Sequence, residues 1–115
     1  MVVNLPWPDS RLHPNARNHW AVRAKAVKQA RMEAAILARA SGIRKIRADS
    51  LEVSLVFSPP DKRRRDLDGL LSAMKASLDG ISDVIGVDDS SWGISISRGE
   101  VVKGGNVAVT IECKA

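Results

Sequence analysis

A chain of 115 residues, 44% of them hydrophobic, holds enough apolar side chain for one packed core, and it excludes both wholesale disorder and two independent domains. Lys and Arg number 18 against 13 Asp and Glu, a formal net charge of +5, so nucleic acid or an anionic surface is the natural partner. No apolar run is long enough to span a bilayer, no secretory leader opens the chain, and the single cysteine, Cys113, cannot form an internal disulfide, so a reducing cytoplasm fits best.

Val2 to Leu5 is short and apolar and is stopped by Pro6-Trp7-Pro8, which predicts a first strand ending in a rigid turn. Turn formers and polar side chains then run to Trp20, so this is a loop. Asn15, Arg17 and His19 on it are candidate DNA contacts, because binding residues often sit on loops held by a scaffold. Trp20 to Ala40 is rich in helix formers, with Ala24, Val27, Ala30, Ala34 and Leu37 at three- and four-residue steps and Ser41-Gly42 at the end. The other side of this helix carries Arg23, Lys25, Lys28, Arg31 and Arg39 with Glu33 as its only acid. Soluble helices normally mix signs, so a phosphate-facing role competes on even terms with a solvated face.

Leu51, Val53, Leu55 and Phe57 alternate with half-polar neighbours, the period of a half-buried strand, and Pro59-Pro60 ends it. Four cations follow, Lys62 to Arg65, directly before Asp66-Leu67-Asp68. Leu67, Leu70, Leu71, Met74 and Leu78 then predict a second helix with one apolar stripe, broken at Asp79-Gly80. Asp88-Asp89 stands at the next break. Trp92, Ile94 and Ile96, then Val107, Val109 and Ile111, alternate as two strands that Lys103-Gly104-Gly105-Asn106 would join in a hairpin. The expected fold is a single α/β (α+β) domain over residues 1–115, a mixed sheet of about four strands covered by two main helices.

Asp66 and Asp68 are spaced so that extended backbone would point both carboxylates one way, toward one cation. A helix N-cap accounts for one of them and leaves the other. Asp88-Asp89 before Ser90-Ser91 is common turn chemistry, and a sharp turn there would also bring a third carboxylate to the same place. Carboxylates without His or Cys favour a hard cation, Mg²⁺ or Mn²⁺, over zinc. Beside Arg65 and Lys75, such a cluster suits metal-assisted phosphodiester hydrolysis. No Gly-rich phosphate loop or nucleotide fingerprint competes, so no nucleotide cofactor is expected.

The ordered series resembles the RusA family of Holliday-junction resolvases. It comprises Leu5-Pro6-Trp7-Pro8, Pro14-Asn15-Ala16-Arg17 with His19-Trp20, Arg65-Asp66-Leu67-Asp68, Leu78-Asp79-Gly80, Gly86-Val87-Asp88-Asp89 and Val102-Lys103-Gly104-Gly105. The resemblance spans nearly the whole chain. It implies a homodimer that makes paired, Mg²⁺-dependent nicks in a four-way DNA junction. It also implies that Asp66, Asp68 and Asp89, with Asp88 adjoining, are the metal-binding catalytic carboxylates. Gly69 stands where the family has Asn, and Ser72 where it has a helix Lys; Lys75, one turn on, is the expected substitute. Arg63, Arg64 and Arg65 would hold the DNA backbone together with Arg23, Lys25 and Lys28. The competing readings are a broader branched-DNA nuclease and a DNA-binding module without catalysis; a membrane-surface binder is disfavoured because the basic helix lacks bulky apolar residues opposite its charge.

Overall fold

The structure, a computed structural model, describes residues 1–17 and 19–114. The alternation from Leu51 to Phe57 becomes β2 (Ser50–Ser58), whose Leu51, Val53, Leu55 and Phe57 are buried to 1% exposure or less. This strand lies inside a four-stranded sheet of order β1-β4-β2-β3, where β1 is Val2–Leu5, β3 Trp92–Arg98 and β4 Asn106–Lys114. Helix α1 (Trp20–Ala40) precedes β2, and α2 (Leu67–Ala73) and α3 (Lys75–Ile85) follow it. The protein is an α+β domain with a mixed sheet, as its pattern of elements predicts. No helix among the described residues is long and apolar enough to cross a membrane.

The terminal hairpin does not form. β4 runs antiparallel to β2 along its whole length, from Ser50 opposite Lys114 to Ser58 opposite Asn106. β3 runs parallel to β2 on the other side, Leu51 opposite Trp92 and Phe57 opposite Arg98. The most continuously apolar strand has thus taken the two later strands as its separate neighbours. A parallel pair needs a long crossover, and α2 and α3 supply it. Gly104-Gly105 remains a turn, with φ of 80° and 75°, but the connection it closes passes the end of β2, from β3 on one side to β4 on the other.

The second helix also differs from expectation. It breaks at Met74, where the Met74 amide donates to the Leu71 carbonyl at 3.0 Å in a tightened turn. It then continues straight through Asp79-Gly80 and stops at Gly86, whose φ is 79°. Gly80 is helical because α1 crosses α3 there: a Cβ on Gly80 would lie 2.2 Å from the Arg31 carbonyl oxygen. The absent side chain allows a close approach that overrides the cost of glycine in a helix.

The inward face of α1 is rotated from the predicted stripe. Ala24 and Val27 are exposed, Ala30 and Leu37 are half-buried, and the buried residues are Ala26, Ala34, Ala35 and Ala38. Small residues face inward because α1 lies close against α3. Ala26 joins a separate cluster with Leu12 and Ala73, which pins the loop before α1 against α2. Gly80→Ala should therefore lower stability by about 1–3 kcal/mol. Gly69→Ala, whose Cβ meets nothing within 4 Å, should raise it by about 0.5–1 kcal/mol. Urea unfolding of both variants checks the contrast; equal effects would show that the α1–α3 approach is not the constraint.

Candidate functional site

The basic run lies in the loop between β2 and α2, and a network of bonds fixes its shape. Asp61 accepts the Arg63 backbone N–H at 2.9 Å and pairs with the guanidinium groups of Arg63 at 3.4 Å and Arg65 at 2.9 Å. The Arg63 N–H, and then the Arg65 side chain, hold the Asp61 carboxyl below the usual carboxylate range. Arg65 Nη1 also donates to the carbonyls of Asp61 and Arg63, and its guanidinium sits 5.4 Å over the Trp7 ring. Trp7 is edge-on to Phe57 at 6.2 Å, and Arg98 from the end of β3 donates to the Arg65 carbonyl at 2.8 Å. Arg65 is committed to holding the loop. Lys62, Arg63 and Arg64 point their charge at solvent.

Asp66 occupies the N-cap position of α2 with extended backbone (φ −90°, ψ 134°), yet its carboxylate makes no capping hydrogen bond. The carboxylate is exposed and has no hydrogen-bond or ion-pair partner among the described residues. Asp68 lies inside the first turn and accepts its neighbour Gly69's N–H at 2.9 Å. The extended-backbone route to convergence therefore does not operate, since only Asp66 is extended. A groove of about 470 Å³ brings Asp66 together with Arg64, Gly69, His13 and Asn15. Asn15 and Asp66 thus line one groove, while Asp68 lies outside this lining.

The loop that supplies Asn15 is anchored at several points. Asp9 caps a short 3-10 turn, Ser10–Leu12, and the Arg11 guanidinium bonded to it lowers its carboxyl pKa to about 2. Arg23 donates to the carbonyls of Arg11 at 3.2 Å and His13 at 3.0 Å, so it ties the loop to α1. His19 caps α1, its Nδ1 accepting the Ala21 N–H at 3.2 Å. Arg17, Lys25 and Lys28 are exposed. Arg31 is fastened to Asp83 of α3 by two bonds of 2.7 and 2.8 Å, so the basic side of α1 is partly an inter-helix clasp.

Asp88 does what common turn chemistry predicts. It caps the 3-10 turn Asp89–Ser91, accepting the Ser90 hydroxyl and the Ser90 N–H, and these bonds lower its pKa. Asp89 is half-buried and held by Lys75, which also donates to Asp79 at 3.0 Å. The Asp89 and Asp79 carboxylates raise the Lys75 pKa. Lys75 is the first residue of α3 rather than part of α2, and it shares a second groove, about 390 Å³, with Ser72, Asp89 and Ile94. Among the described residues no three His, Cys, Asp or Glu side chains form a group that could hold a metal ion. The donors offered are all carboxylates, the type that suits Mg²⁺ or Mn²⁺, but Asp89 is engaged with the Lys75 ammonium.

Trp7, Asp61, Asp79 and Arg98 belong to this region and were not legible as site residues. Trp7 reads as part of a proline turn, and Arg98 reaches the loop only because β3 pairs parallel with β2.

The fold and site together define a small α+β protein whose basic loop leads into an uncapped carboxylate at a helix start. The chain is 40% identical over 113 residues to an uncharacterized protein of Xylella fastidiosa (strain Temecula1 / ATCC 700964), a match covering 95% of this chain and 74% of that protein. It belongs to the same family as that protein. No protein-family model matches the chain.

Lys75 also gives the site a pH signature. Its raised pKa means that the ion pairs stabilise the fold fully below the unfolded-state value of 10.5 and are lost as pH rises through the higher folded-state value. Lys75→Met should cost about 0.2–1 kcal/mol at pH 8, as exposed pairs do. That difference from wild type should shrink above pH 10.5. Urea midpoints across this range check it; a difference unchanged at high pH would contradict the assignment.

Proposed function

We propose that this protein is a divalent-cation-dependent endonuclease that nicks branched DNA, four-way junctions foremost, as RusA-type resolvases do. The observation that carries the reading is the Asp66 carboxylate: it stands at a helix start, forgoes its cap, and faces a groove that also holds Arg64 and Asn15. Asp66 and Arg64 are both exposed, and a phosphate with its cation would engage the carboxylate and the guanidinium together.

In this reading Lys62, Arg63 and Arg64 hold backbone phosphates, with binding that weakens steeply as salt rises. Asp66 and Asp68, joined by Asp89, would hold Mg²⁺ or Mn²⁺; the ion would supply an activated water and offset charge on the phosphoryl group. Lys75 acts as a positioning residue, keeping Asp89 facing α2 and α3. A two-fold homodimer would present two such sites to a junction that is itself nearly two-fold. Such work places the protein on DNA in the cytoplasm of a bacterium or phage-infected cell.

The second reading, a DNA-binding module that does not cut, is favoured by one observation: Asp89 is engaged with Lys75, and among the described residues no three-carboxylate group stands ready. A labelled four-way junction incubated with and without Mg²⁺ decides between them. The nuclease reading predicts Mg²⁺-dependent paired nicks, lost on the order of 100-fold or more in Asp66→Asn with junction binding retained. Binding with no nicking under any divalent ion would establish the second reading. Equal cutting of linear duplex would keep the nuclease and remove the junction preference.

A further inference from the structure

The segment Arg64–Arg65 separates two cavities. One is the groove with Asp66; the other is about 490 Å³, and Leu70 also lines both. Small-molecule sites typically fall between about 300 and 1,000 Å³. The floor of the second cavity is apolar, made by Phe57, Pro59, Leu70 and Val101 with Trp7 at one side. Its rim carries Lys62, Arg63, Arg64 and Arg98. Asp61, the only acid among the described lining residues, is taken up by Arg63 and Arg65. Lys62, Arg64 and Arg98 are therefore left without a carboxylate partner in that lining.

A bare anion would match the rim and leave the floor unfilled, and a neutral hydrophobe would do the reverse. A nucleotide has both parts, a flat base of low polarity on its faces and a phosphate at each side. Bases within a duplex are stacked and out of reach, so the base received here must be unstacked, as one at a branch point can be.

We propose that this cavity receives the base of one unstacked nucleotide of the DNA strand whose backbone runs past Asp66, with its phosphates on Arg63, Arg64 and Arg98. The inference rests on the DNA reading above and adds a base-accepting subsite to it. Trp7 is wedged between Gly105 and the Arg65 guanidinium, so it forms a fixed wall rather than an open stacking face. The base would meet the Phe57–Pro59–Val101 floor, with the Arg65 side chain above Trp7 at its edge.

Binding measured in EDTA tests this without any cleavage. The probes are a fluorescein-labelled thymidine oligonucleotide and an abasic strand of equal length, which carries the same phosphates and no bases. Wild type should bind the thymidine strand at least about fivefold more tightly, the lower end of what one stacked base contributes. Val101 is 47% exposed where it lines the cavity, so Val101→Trp fills that space without disturbing the buried core. That variant should lose the preference and keep its affinity for the abasic strand, with an unchanged melting temperature. Equal binding of the two strands by wild type needs no variant to interpret and would overturn the pocket while leaving the DNA reading standing. Failure to bind either strand or a junction would instead overturn the DNA reading itself. A preference that persists in a folded Val101→Trp would place the base elsewhere and also refute the proposal.

Discussion

The Arg65 guanidinium is the tie on which the candidate site depends. It lies over Trp7 from the segment after β1, pairs with Asp61 from the segment after β2, and its own carbonyl takes a hydrogen bond from Arg98 at the end of β3. Three strand ends are gathered at one residue. A lysine could supply the charge there but not the planar fork that reaches a carboxylate and two carbonyls while stacking on an indole. With Arg65 committed inward, the cations before it are held outward and Asp66 is delivered, extended, to the start of α2. The same residue separates the groove of Asp66 from the apolar-floored cavity beside it.

A second constraint sets the other half of the site. α3 must lie close to α1 at Gly80, and this fixes where its first residue, Lys75, meets Asp89. The carboxylates are thereby divided between two places. Asp66 is free and exposed beside the basic loop, while Asp89 rests on an ammonium in the neighbouring groove. Binding of a cation would have to draw Asp89 from Lys75, an exchange of one positive partner for another that costs little in charge.

Much of the fold was legible because it depends on local period. The bounds of α1 follow from helix formers and Ser41-Gly42, and the buried face of β2 follows from alternation. What could not be read depends on partners distant in sequence. The β3–β4 hairpin looked favourable because a glycine turn joins two alternating strands, yet β2 offered each a better edge. Asp79-Gly80 looked like a helix stop because the Arg31 carbonyl that requires a bare Cα there lies on another helix. At the site, Asp66, Arg64 and Asn15 were identified from charge and turn chemistry and lie in one groove. Asp68 was expected to join Asp66 from extended backbone, but α2 begins between them. The structural roles of Arg23, His19 and Arg65 as ties and caps were hidden, because charge alone does not distinguish a phosphate contact from a carbonyl contact.

The central claim is that the carboxylates around the start of α2 take up a divalent cation. Titration of the ¹⁵N-labelled protein with Mn²⁺ tests it most directly, since a bound paramagnetic ion broadens only nearby amides. The account predicts that the amides of Asp66, Asp68, Gly69, Asp89 and Ser90 broaden together, at the same ion concentration. Broadening centred on other acids, such as Asp9 or Asp61, or none at these five positions, would contradict it.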